Sequence, residues 1–113
     1  ARYLSQCRHW TNLNYLNLDR TLIGAEGATY LAENDAWGNL LTLSLRWNQL
    51  GTQGISNLSK NTAWRKLQTL NLNNNDIGAE GTRHLCENTA WSSLQELYLQ
   101  NNNIGDEGAL HLS

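Results

Sequence analysis

The run LQTLNLNNNDIGAEG, residues 67–81, decides the fold. Leu67, Leu70 and Leu72 alternate with polar residues, as the buried side of a short strand does. Asn73, Asn74 and Asn75 follow as a polar turn, and Gly78-Ala-Glu-Gly81 leads into a helical stretch. Moving 27 residues in either direction finds the same text again. Tryptophans stand at Trp10, Trp37, Trp64 and Trp91. Leucine columns run through Leu13, Leu40, Leu67 and Leu94, through Leu16, Leu43, Leu70 and Leu97, and through Leu18, Leu45, Leu72 and Leu99. Glycines repeat at Gly24, Gly51, Gly78 and Gly105, and again at Gly27, Gly54, Gly81 and Gly108. A further column joins Leu4, Leu31, Leu58, Leu85 and Leu112. Agreement of so many columns at one period identifies an array of about four copied units.

Each unit reads as strand, turn and helix. The pattern predicts strands near 15–19, 42–46, 69–73 and 96–100, and helices near 25–34, 52–61 and 79–88, with half-helices at 2–7 and 106–113. Ile23, Ala28 and Leu31 have the spacing of one helical face. One unit is too small to bury its own leucines, so neighbours must stack to form a continuous core. Parallel strands repeat at about 4.8 Å, whereas packed helices need about 8–10 Å. The helix side is therefore wider and the stack bends with its sheet inside. The expected class is α/β: a right-handed β-α solenoid, a horseshoe segment with a concave parallel sheet and convex helices.

The segments LNYLNL from Leu13, LLTLSLRWNQL from Leu40, LQTLNLNNNDI from Leu67 and LQELYLQNNNI from Leu94 resemble the leucine-rich repeat family, over the whole chain. Their helical linkers look like those of the ribonuclease-inhibitor-like subclass. The unit of 27 residues is slightly shorter than that subclass uses, and tryptophan stands where it usually has leucine. The resemblance implies recognition of a protein partner and does not name one.

Composition narrows the function. The chain has 113 residues, 16% of them charged, with a formal net charge of −2. That balance argues against a basic nucleic-acid surface. No apolar run is long enough for a membrane span. Methionine and proline are absent. The chain starts at Ala1 and no signal peptide is visible, so we expect a piece of a longer array. Cys7 and Cys86 fall three units apart, about 24–30 Å by helix packing. That exceeds the roughly 7 Å a disulfide spans. Two thiols that cannot pair point to a cytoplasmic chain, with a secreted effector as the alternative.

Several columns look chemical and read as structural. Asn48, Asn75 and Asn102 can satisfy turn backbone groups with their side-chain amides, forming an asparagine ladder. Thr21 replaces asparagine in the first unit, which leads us to expect a looser turn there. Asn34, Asn61 and Asn88 suit left-handed helix C-terminal caps. The periodic tryptophans suit a core spine, each indole N–H meeting a loop carbonyl. The paired glycines lack the lysine and spacing of a phosphate loop. His84 and His111 share a column too widely spaced for easy joint ligation. No nucleophile, base and orienting group assemble, so we expect no enzyme, no cofactor and no metal.

Recognition is then left to the residues that do not repeat. Side chains between the buried leucines face the concave side. The candidate partner-binding residues are Tyr15, Asn17, Asp19 and Arg20 in the first unit, then Ser44, Arg46 and Trp47. The third unit supplies Asn71, Asn73 and Asn74, and the fourth Glu96, Tyr98, Gln100 and Asn101. Thr42 and Thr69 share this face. Trp47 is the one tryptophan off the period; it reads either as an exposed anchor beside Arg46, a combination enriched at binding hot spots, or as a partly covered ring packing over the next strand's edge. Two alternatives to a protein-binding module are a structural segment that associates end to end through its partial units, and the substrate-recognition part of a larger enzyme or receptor.

Overall fold

The computed structural model describes residues 9–112, so the half-helix expected at 2–7 lies outside the described residues. Four strands alternate with four helices: β1 (Tyr15–Asn17), α1 (Gly24–Ala32), β2 (Thr42–Ser44), α2 (Gly51–Leu58), β3 (Thr69–Asn71), α3 (Gly78–Cys86), β4 (Glu96–Tyr98) and α4 (Gly105–Leu112). They form one parallel sheet in the order β1-β2-β3-β4. Its register follows the sequence period: Leu16 pairs with Leu43, Leu43 with Leu70 and Leu70 with Leu97. Each helix packs on the next, α1 on α2, α2 on α3 and α3 on α4. This is the α/β solenoid expected of the repeat.

The core lies between sheet and helices. Leu43, Leu45, Leu70, Leu72, Leu31, Leu58, Trp37 and Trp64 are fully buried. Burying one such leucine stabilises by about 1.5–3 kcal/mol. Leu13, Leu16 and Leu18 in the first unit, and Leu94, Leu97 and Leu99 in the fourth, are only partly buried. Those units have a neighbour on one side alone among the described residues.

The strands are three residues long rather than five, and the reason is local. Arg20, Trp47, Asn74 and Asn101 take left-handed backbones, with φ of 57°, 57°, 63° and 59°. That ends the extended run. The inter-repeat ladder nevertheless continues past it: Arg20 N–H donates to Arg46 O at 2.9 Å, and Gly24 N–H to Asn48 O at 2.9 Å. Left-handed residues recur at every second position of each turn, as at Arg20, Leu22 and Gly24.

The asparagine ladder is present, but each rung serves the unit before it. Asn75 Oδ1 accepts from Asn48 N–H at 2.9 Å and Leu50 N–H at 3.4 Å. Its Nδ2 donates to Leu45 O and Leu72 O. Asn102 does the same for Asn75 and Ile77. Asn48 holds the first turn, accepting from Thr21 N–H and Ile23 N–H and donating to Leu18 O. The looser first turn expected from Thr21 is therefore corrected. Asn48 closes that turn, and the Thr21 hydroxyl adds a bond to Leu18 O at 2.7 Å.

Two further expectations change. Asn34, Asn61 and Asn88 are not left-handed caps, since none has positive φ. They form a second ladder. Asn61 Oδ1 accepts from Trp64 N–H, and its Nδ2 donates back to Ala32 O; Asn88 repeats this towards Trp91 and Ser59. The tryptophans do form a spine, with Trp64 and Trp91 stacked at 6.3 Å and 12°. Their indole N–H groups are buried without the expected carbonyl. The carbonyl expectation is thus overturned at Trp64 and Trp91 alone. Trp10 is 43% exposed, unlike its repeats.

Candidate partner-binding face

The sheet face opposite the leucines is built from strand alternation and from the left-handed residues that follow each strand. Leu43 and Leu70 turn into the core, so their strand neighbours turn outward. Tyr15 (58% exposed), Trp47 (44%) and Tyr98 (39%) are large aromatic side chains open to solvent. Asn17, Arg20, Arg46, Glu96, Gln100 and Asn101 are exposed too. Thr42, Thr69, Asp19, Asn71 and Asn74 are half-buried. Ser44 and Asn73 are buried, each 8% exposed, so their contribution to a partner surface is indirect.

Two networks explain why. Asp19 Oδ1 accepts the Ser44 hydroxyl at 2.6 Å and the Arg46 N–H at 2.8 Å. Its other oxygen lies 3.9 Å from the Arg46 guanidinium. In the later units, Asn73 Oδ1 accepts from Gln100 N–H at 2.8 Å, and Asn73 Nδ2 donates to Gln100 Oε1 at 3.2 Å. Asn71 Oδ1 accepts from Asn73 N–H. The column is thus bonded across repeats in two pairs, Asp19 with Arg46 and Asn73 with Gln100.

The next column runs Arg20, Trp47, Asn74, Asn101. Here the Arg20 guanidinium carbon lies 4.9 Å from the Trp47 ring centroid. An exposed cation–π pair of this kind contributes about 0.5–1 kcal/mol. Trp47 is therefore exposed and one of its faces is covered by arginine. At the far end Tyr98 donates its hydroxyl hydrogen to Glu96. That bond, the Glu96 charge and partial desolvation hold the Tyr98 phenol above the usual tyrosine range.

One exposed residue escaped the sequence reading. Leu22, 74% exposed, stands in the turn column otherwise filled by Gln49, Asp76 and Asn103. An apolar residue in a polar column was the available signal. On the helical side, Arg83 bridges Glu80 at 2.8 Å and Glu87 at 3.1 Å, and Cys86 is exposed. Among the described residues, no three His, Cys, Asp or Glu side chains come together to hold a metal ion. No helix among them is long and apolar enough to cross a membrane.

A family model described as Leucine Rich repeat matches residues 9–32, 39–59, 65–86 and 92–113. These spans contain all four strands and all four helices. None of the curated proteins matches the chain.

Proposed function

The chain belongs to the leucine-rich repeat family, and from that premise we propose that it binds a protein partner on its concave sheet face. One observation carries the reading. In a scaffold whose leucine, glycine and asparagine columns are copied nearly unchanged, the sheet-face columns vary and expose Tyr15, Trp47 and Tyr98. Rigid aromatic side chains set among amides suit a wet interface with a few anchoring residues. The alternation of short strands with helices of eight or nine residues supports the ribonuclease-inhibitor-like subclass. We read residues 1–113 as one repeat domain of about four units.

The test is capture of candidate partners by the wild-type array and by an Arg46→Ala/Trp47→Ala double variant, after circular dichroism has shown that both fold alike. Loss of a captured partner in the double variant supports the face. Equal capture moves the site to the helices or turns.

A second reading is association of copies end to end. It is favoured by a groove beside Trp91 lined by Leu85, Leu94 and Leu97, and by the exposure of Trp10. The groove would receive the first unit of a second copy. Light scattering at rising concentration decides it, since a strictly monomeric species removes the reading.

A further inference from the structure

We propose that the Arg20–Trp47 end of the concave face reads a carboxylate, so that the partner docks through an acidic residue flanked by an apolar side chain. The inference rests on the concave face being the binding surface and adds the chemistry that this surface selects.

The argument begins with which cation is available. Two arginines stand on the face, and they differ. Arg46 lies against Asp19, whose other oxygen is already taken by the Ser44 hydroxyl and the Arg46 amide. That cluster is internally compensated. Arg20 has no carboxylate partner among the described residues, and its guanidinium lies over the Trp47 ring at 4.9 Å. The ring contact is made by the cation as a whole, and the five N–H donors of the guanidinium make no hydrogen bond among the described residues. A planar fork of this kind matches the two oxygens of a carboxylate.

The pair is also held in place before any ligand arrives. Arg20 and Trp47 occupy the same repeat position one unit apart, both with φ of 57°. Their backbone amides are tied into the ladder, Arg20 N–H to Arg46 O at 2.9 Å and Trp47 N–H to Asn73 O at 3.2 Å. Little backbone freedom remains to be lost on binding. Trp47 is still 44% exposed beneath its arginine, and Tyr15 stands exposed on the first strand of the same face. A carboxylate on the Arg20 edge therefore has aromatic surface close by in the same two units. The opposite end of the face carries Glu96 and so disfavours acid there. The charge gradient orients an acidic segment towards the first two units.

The probe is a random linear peptide library displayed on phage, panned against the whole chain at low ionic strength. Selected peptides are then measured against wild type, Arg20→Gln, Arg20→Lys, Tyr15→Ala and Tyr98→Ala, each checked for folding. The expected result is enrichment of Asp or Glu next to an aromatic or aliphatic residue. Affinity should fall by about ten-fold or more in Arg20→Gln, with part of it retained in Arg20→Lys and further weakening in high salt. Peptides that need Tyr15 or Tyr98, show no acidic enrichment and tolerate Arg20→Gln overturn the carboxylate inference while leaving the concave face intact. Peptides indifferent to Tyr15, Tyr98 and Arg20 alike overturn both. Failure to enrich any peptide also counts against the inference.

Discussion

Leu22 combines a φ of 56° with a side chain 74% exposed. A left-handed backbone costs an ordinary L-residue roughly 1–2 kcal/mol, and asparagine tolerates it better. Nothing buried offsets the strain at Leu22. Leu22→Asn, the residue found at Asn103 in the same column, should raise stability by about 0.5–1 kcal/mol in urea denaturation. An unchanged or lowered midpoint would mean that the leucine packs more firmly than its exposure indicates. Tyr98 is the other residue with its own prediction. Its folded pKa lies above the ordinary 10.0, through the bond to Glu96 first, then the carboxylate charge, then desolvation. The contribution is fully present below that ordinary value and is lost as pH rises through the raised one. Glu96→Gln should let Tyr98 ionise earlier in an ultraviolet alkaline titration. No change in the curve would dissolve the assigned pairing.

At the scale of the element, the turn is the informative unit. Asn75→Ala would strip acceptors from the buried amides of Asn48 and Leu50, and a donor from the carbonyl of Leu45, while Leu72 O keeps the Asn102 amide. Each buried group left without a partner costs about 1–3 kcal/mol, so a loss of at least about 3 kcal/mol is expected. Hydrogen exchange gives the sharper reading. Amides 48 and 50 should lose protection, while Ile77, held by Asn102, keeps it. The reverse order would overturn the direction assigned to the ladder. That direction could not be read from the sequence. Leucine columns such as Leu43 and Leu70 are legible because burial demands the same residue in every copy. An asparagine column shows that a turn must be satisfied without showing which turn. The same limit applies to the face: alternation placed Tyr15 outside, but the exposure of Trp47 follows from its left-handed backbone, and the burial of Ser44 and Asn73 depends on side-chain bonds to the neighbouring repeat. The left-handed cap reading of Asn34 failed for that reason as well.

For the whole molecule, the core is continuous along the array and stability is a sum of neighbour-to-neighbour interfaces. Leu70 is fully buried between two units, whereas Leu97 in the same column is only partly buried. Leu70→Ala should cost about 2–5 kcal/mol, and Leu97→Ala clearly less. Equal losses by thermal or urea unfolding would show that the array melts as one body, with position along it irrelevant. The backward-reaching asparagines carry a consequence for a chain made from its N-terminus. The amide of Asn48 waits for Asn75, 27 residues further on. Asn75 waits in turn for Asn102. The buried turn amides of one repeat therefore gain their side-chain acceptor only once the next repeat has been made.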